Sequence, residues 1–149
     1  MTKENKENPI RDKEQDEMFF RETAGGFLAL LKVPIPKNKE EAKTFLTTYD
    51  EGVDELKNYT QESGKGYSSH TIVLFGSVLG EALRILWNGV WKFSDKKNRW
   101  VMMCSCEKGI QKEVDVFDLV EKSVLGEMKT TIYAYCMSLE KYLQRENKF

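Results

Sequence analysis

The chain has 149 residues, and a hydrophobic fraction of 40% with 11% aromatic residues is enough to build the core of one domain. Its 23 basic and 24 acidic residues are interspersed and give a net charge of −1, which argues against a nucleic-acid-binding protein with a basic face. The 3 cysteines lack disulfide spacing and favour free thiols in a reducing compartment, so we expect a cytoplasmic protein. The polar N-terminus lacks the apolar stretch of a secretory signal, and no apolar run approaches the roughly 20 residues that cross a bilayer.

Residues 1–12 are polar and predict a disordered tail, followed by a single domain over residues 13–149. Apolar residues at helical spacing predict a first helix, with the stripe Phe20, Ala24, Phe27, Leu28 and Leu31. Gly25-Gly26 in its middle either permits close packing or breaks the helix. Pro34 and Pro36 end it, because proline removes a backbone donor.

Two further helices follow. Asn38 caps the second, whose stripe is Ala42, Phe45, Leu46, Tyr49, Val53 and Leu56, and Ser63-Gly64-Lys65-Gly66 is predicted to be a loop. Ser68 or Ser69 caps the third, whose face includes Ile72, Phe75, Val78, Leu79, Ala82 and Leu86. In this helix Gly76 and Gly80 predict the close approach of a neighbouring element, and Gly89 is expected to end it in a left-handed conformation.

Alternating patterns then predict three strands. Trp91 and Phe93 share one face of the first. The second is apolar on both faces, which predicts a central strand covered on both sides; one face holds Trp100, Met102, Cys104 and Cys106, and the other holds Val101, Met103 and Ser105. The third, Ile110 to Val114, is more polar and is predicted to be an edge.

A short helix capped by Asp115 and a last helix complete the pattern, the latter with the stripe Met128, Ile132, Tyr135, Leu139 and Tyr142. The order predicts an α+β fold, in which about five helices pack on a small antiparallel β-meander of about three strands.

The candidate binding residues are Glu81, Arg84, His70 and Trp91, which would line a pocket where the third helix meets the sheet. There Glu81 would act as a base and Arg84 as an anion clamp. The competing and favoured interpretation is a solvated face with an ordinary i,i+3 ion pair, in which Glu81→Ala changes stability by less than about 0.5 kcal/mol. Side chains that diverge by more than about 12 Å would exclude one convergent pocket.

Metal and phosphate motifs are weak. Cys104, Cys106, Cys136 and His70 could form a Cys3His zinc set, but zinc sites are usually built from short-spaced pairs, so buried structural cysteines are favoured and neither a metal nor a cofactor is predicted. Gly64-Lys65-Gly66 lacks the full phosphate-loop pattern. The aromatic set Trp87, Trp91, Phe93 and Trp100 could stack on single-stranded nucleic acid, but core packing is the favoured interpretation.

The segments LGEALRILWNGVW, RWV and DVFDLVEKSVLGE resemble a class of small bacterial domains of unknown function, over roughly the last 60 to 70 residues. The positions that carry the resemblance are Leu79, Gly80, Glu81, Gly89, Trp91, Phe117, Val120, Lys122, Gly126 and Glu127. Val116 stands where that pattern usually has proline. The resemblance implies no activity, although some small bacterial proteins of similar build are immunity proteins, antitoxins or phage-associated partners.

We therefore expect a non-enzymatic, cytoplasmic protein-interaction module of the immunity or regulatory type, without catalytic residues and with another protein as its partner. Tyr67, Trp87 or Trp91 would anchor the contact. The alternative is a small-molecule-binding protein or hydrolytic enzyme with the pocket described above. A third hypothesis is a homodimer, which predicts an exposed apolar stripe on the first or last helix.

Overall fold

A computed structural model describes residues 13–64, 67–105 and 111–145, which form five helices and one antiparallel sheet of three strands. The elements are α1 Lys13–Leu31, α2 Lys39–Ser63, α3 Ser69–Trp87, β1 Val90–Ser94, β2 Arg99–Ser105, β3 Gln111–Val114, α4 Val116–Val124 and α5 Ile132–Arg145. The predicted α+β fold is confirmed. The predicted tail over 1–12, Lys65-Gly66 of the predicted loop, Cys106 and Ile110 lie outside the described residues.

Helix α3 is the centre of the packing, since it contacts α1, α2, α4 and β2. Its glycines allow two large aromatic rings to approach its backbone. A Cβ atom at Gly76 would collide with the ring of Phe117 on α4, and one at Gly80 would collide with the indole of Trp91 on β1. The predicted close approach is therefore confirmed for a helix and for a strand.

Helix α3 is also, among the described elements, the one helix that is long and apolar enough to cross a membrane. This finding qualifies the expectation that no apolar run approaches membrane-spanning length. Half of the apolar window is buried against the rest of the chain. That burial favours the core helix of a soluble protein over a membrane span.

The sheet has the order β1-β2-β3, with Trp91 opposite Met102 and Phe93 opposite Trp100. These four side chains lie on the face that packs against the helices. On the opposite face of β2, Val101 is buried, whereas Met103 and Ser105 are only partly buried. The expected cover on both faces is thus incomplete, whereas β3 is an edge strand as predicted.

Local hydrogen bonds explain where α2, α3 and α4 begin. The side chains of Asn38, Ser68 and Asp115 each accept a hydrogen bond from the backbone N–H three residues later, as N-caps do. All three caps agree with the predictions. The first turn of α2 also carries Glu40 and Glu41, which the helix dipole favours.

Helix α1 runs without interruption through Gly25-Gly26, and a Cβ atom at either glycine would meet nothing within 4 Å. Neither predicted role, a break or a close contact, is correct. The helix ends at Lys32, which has a φ of 61°, and the Val33 N–H then bonds to the carbonyl of Leu28.

The left-handed residue that ends α3 is Asn88, with a φ of 53°, and not Gly89 as predicted. Asparagine tolerates this conformation better than most residues. Gly89 serves packing instead, because a Cβ atom there would lie 2.6 Å from Cε of Met102.

Helix α5 begins at Ile132 and not at Met128, and its buried stripe differs from the predicted one. Both carboxylate oxygens of Asp50 on α2 accept hydrogen bonds from the helix terminus, at 2.8 Å from Ile132 N and 2.9 Å from Tyr133 N. Tyr142 of the predicted stripe is exposed. The residues that are buried are Ile132, Cys136, Leu139 and Leu143.

Candidate functional site

Glu81 joins three side chains from three different elements, and we call this group the Glu81 cluster. Its Oε1 atom accepts a hydrogen bond from Arg84 Nε at 3.0 Å and lies 3.6 Å from Arg21 Nε of α1. Its Oε2 atom accepts a hydrogen bond from the indole N–H of Trp91 at 3.0 Å. Glu81, Arg84 and Trp91 of the predicted pocket are thus brought together, with Arg21 in addition.

Trp91 holds the cluster against the core. Only 2% of this residue is exposed, and its rings stack on Phe20 at a centroid distance of 4.3 Å. Phe117 stacks on its indole at 5.9 Å, and the missing Cβ of Gly80 provides the space. Because a buried indole N–H without an acceptor is costly, the hydrogen bond from Trp91 ties the carboxylate of Glu81 to the packed indole.

The electrostatics of the cluster differ from both interpretations of the sequence. The side chain of Glu81 is 14% exposed, so it does not lie on a solvated face. Both of its oxygens are engaged, so it is poorly placed to act as a base. Two guanidinium groups surround one carboxylate, which leaves a local charge of about +1 at pH 7.

A cavity of about 200 Å³ opens beside this cluster, between α1, α3 and the segment that follows α1. Arg21, Glu81 and Arg84 stand at its polar side. Its other walls are apolar or small, and they include Ala24, Gly25, Leu28, Ile35, Phe45, Val78, Ala82 and Ile85. The arrangement can hold a small apolar group beside two cationic side chains.

The structure separates His70 from the other predicted site residues. His70 is exposed in the first turn of α3, eleven residues before Glu81, which corresponds to about 16 Å along a helix axis. It lines a different groove, of about 410 Å³, with Asp16, Phe19 and Trp100. His70 thus lines a different groove from the cavity lined by Glu81 and Arg84.

The cysteines that the structure describes lie in the core. Cys104 on β2 and Cys136 on α5 are buried free thiols, and burial raises the pKa of each to about 12. The proximity of the two also contributes to the raised pKa of Cys136. Within the described part of the chain, no group of three or more His, Cys, Asp or Glu side chains is arranged to hold a metal ion.

The aromatic residues expected to anchor a partner are not free to do so. Trp87, Trp91 and Trp100 are all buried, so they form neither a contact surface nor a platform for stacked bases. Tyr67 is half-buried and donates a hydrogen bond to Glu121 Oε2 at 2.6 Å, which raises the pKa of Tyr67.

Exposed large apolar residues occur at several places in the described chain, and three of them lie close together in sequence, at the end of α1 and just after it. Leu30 is 79% exposed, and Leu31 and Ile35 are each more than half exposed. We call these three residues the α1 apolar surface. The sequence predicts Leu31 in the apolar stripe of the first helix, but this side chain is exposed and does not belong to the core. The sequence contains a signal for this surface, since FLALLKVPI is apolar on more faces than one core contact requires.

No model of a known protein family, no curated protein and no solved structure matches the chain.

Proposed function

We propose that this chain is a non-enzymatic protein-interaction module of the immunity or regulatory type, which acts in the bacterial cytoplasm. It binds a partner protein through the α1 apolar surface. The observation that carries the proposal is the exposure of Leu30, Leu31 and Ile35 within six consecutive residues at the end of α1 and just after it.

The surroundings of this surface support a protein contact. Ile35 also lines an open groove of about 540 Å³ between the segment after α1 and the start of α2, together with Val33, Pro34 and Phe45. The exposed charged side chains of Lys37 and Glu40 line the same groove. Protein-binding sites combine apolar contacts with polar ones in this way, and exposed apolar patches commonly mark such sites.

Two further observations support the class and the compartment. The carboxylate of Glu81 accepts hydrogen bonds on both of its oxygens. This arrangement suits a structural role better than a catalytic one. The buried thiols of Cys104 and Cys136 are free, as is usual in a reducing compartment.

The test compares the tagged wild-type chain with a Leu30→Ser/Ile35→Ser variant in pull-downs from lysate of the native cells, with the captured proteins quantified by mass spectrometry. Leu125→Ser is the matched control, because Leu125 is a 48% exposed leucine outside the α1 apolar surface. Circular dichroism verifies that all three proteins are folded. We expect one stoichiometric protein that the control retains and the double variant loses by at least about tenfold, in line with the loss of an interface anchor.

A protein captured equally by all three chains would place the contact elsewhere and refute the role of this surface. If light scattering gives twice the monomer mass for the wild type and the monomer mass for the double variant, the surface joins two copies. That outcome would replace the proposal with the homodimer hypothesis.

A further inference from the structure

From the cavity beside the Glu81 cluster we infer a binding site for a small carboxylic acid with an apolar body of about five or six carbon atoms. The inference concerns a ligand and does not depend on the proposed partner protein. It rests on the cavity's size, the apolar character of its walls, and the two arginines on its polar side.

The size of the cavity sets the size of the ligand. The structure gives about 200 Å³, and an apolar cavity of about 150 Å³ is known to accommodate benzene. A benzene ring or a chain of about six carbons therefore fits, with a small amount of space left for a polar group. Larger drug-like ligands generally need at least about 300 Å³.

The apolar walls favour an amphiphile over a simple inorganic anion. Leu28, Phe45, Val78 and Ile85 come from three helices and face the same space. A phosphate or sulfate ion would gain nothing from these walls and would lose hydration beside them. An apolar body gains free energy in proportion to the surface that it buries there.

The two arginines set the charge of the ligand. Within the described residues, the ion pairs of Arg21 and Arg84 with Glu81 use their Nε atoms, so the Nη groups have donors to spare. A guanidinium group binds a carboxylate through two parallel hydrogen bonds. Glu81 is a positioning residue here: it holds the guanidinium group of Arg84, and Trp91 holds Glu81.

Gly25 supports a built cavity. It lies inside α1, where glycine is less favourable than alanine, and no neighbouring atom requires its lack of a side chain. It lines the cavity beside Arg21 and Ala24, so its lack of a side chain leaves more room in the cavity.

The test is a titration of ¹⁵N-labelled wild-type protein with sodium hexanoate and sodium benzoate, followed by ¹H–¹⁵N NMR. We expect saturable shifts of the Ala24, Gly25, Ala82 and Ile85 amides, with a Kd on the order of 1 mM for ligands of this size. Acetate lacks the apolar body and hexan-1-ol lacks the charge, so each should bind at least about tenfold more weakly.

One variant and its control test the role of Arg84. Arg84→Gln should raise the Kd for hexanoate at least about tenfold, as expected when one charge-assisted contact is lost, and leave the weak binding of hexan-1-ol unchanged. Arg99→Gln is the matched control, because it removes an equally charged arginine that pairs with Asp115 at the sheet. It should leave the Kd for hexanoate unchanged.

The inference fails if hexan-1-ol binds as tightly as hexanoate, since the site would then be an apolar cavity without selection for charge. It also fails if Arg84→Gln and Arg99→Gln raise the Kd equally, or if the amide shifts lie away from the cavity. These readouts are independent of the pull-down, so failure of either proposal leaves the other standing.

Discussion

Replacing Glu81 by alanine should destabilise the protein far more than the loss of a surface ion pair would. The substitution removes the acceptor for the indole N–H of Trp91, a residue that is 2% exposed. A buried donor left without a partner costs about 1–3 kcal/mol. The pairs with Arg21 and Arg84 contribute less than about 1 kcal/mol together, because both arginines are more than a third exposed and are screened by solvent.

We therefore expect the free energy of unfolding to fall by about 2–3 kcal/mol. For a chain of this size, that corresponds to a decrease in Tm of about 4–12 °C. Equilibrium urea unfolding, followed by fluorescence and circular dichroism, measures the change. Glu81→Gln keeps an oxygen that can accept the hydrogen bond from the indole N–H, so it should lower the free energy of unfolding by about 1 kcal/mol or less.

Glu55→Ala provides the control, because Glu55 is an exposed glutamate on α2 and its removal should change stability by less than about 0.5 kcal/mol. A double-mutant cycle isolates the indole bond: in a Trp91→Phe background, Glu81→Ala should cost at least about 1 kcal/mol less than in the wild type. If Glu81→Ala behaves like Glu55→Ala, Glu81 belongs to a solvated face and the reasoning from Trp91 is refuted.

Four further outcomes are expected. Gly26→Ala should raise the free energy of unfolding by about 0.5–1 kcal/mol in urea unfolding, because the added methyl group meets open space in a helix; no gain would contradict a regular helix there. Gly80→Ala should lower it by about 1–3 kcal/mol, since its methyl group collides with a buried ring, and a neutral result would refute the close packing. Asp50→Ala should lower the free energy of unfolding by about 0.5–2 kcal/mol and reduce hydrogen-exchange protection in α5, because Asp50 caps the first N–H groups of that helix. Unchanged protection would show that α5 does not need this cap. Burial raises the pKa of Cys104 and Cys136 from 9.0 to about 12, so the thiols of the unfolded chain ionise first as the pH rises. The free energy of unfolding should therefore fall above about pH 9, by at most about 1.4 kcal/mol per pH unit for each thiol. Cys136→Ala should reduce this slope relative to the wild type.

The elements that could be predicted from the sequence are those whose signals are local. The caps at Asn38, Ser68 and Asp115 lie within three residues of the groups they bind, and the apolar stripes of α2 and α3 repeat along one helix. The start of α5 was missed although Thr131 is a local N-cap, whose Oγ1 accepts a hydrogen bond from the Ala134 N–H at 3.0 Å. The second cap, Asp50, lies 82 residues away from Ile132 in sequence, so no pattern near α5 carries that contact.

The candidate site also contains contacts that the sequence could predict and contacts that it could not. The pairing of Glu81 with Arg84 follows from their spacing of three residues on one helix. Arg21 comes from α1, and the crossing of α1 over α3 is a tertiary arrangement that helical periodicity does not encode. His70 was included because it is the only histidine, a chemical reason that says nothing about position. The exposure of Leu31 was missed because a periodic apolar residue was assumed to face the core.

Ile35 connects the two proposals, since it belongs to the α1 apolar surface and also lines the cavity beside Arg21 and Arg84. A carboxylic acid bound in the cavity would contact Ile35, and so would the partner protein on the α1 apolar surface. A ligand that restricts the side-chain conformations of Ile35 should therefore change the affinity of the chain for the partner. By thermodynamic linkage the partner must change the affinity for the ligand by the same factor. Hexanoate titrations with and without the partner, and partner titrations with and without hexanoate, should give equal ratios of Kd. If both proposed sites bind but both ratios equal one, Ile35 is not shared between them in solution.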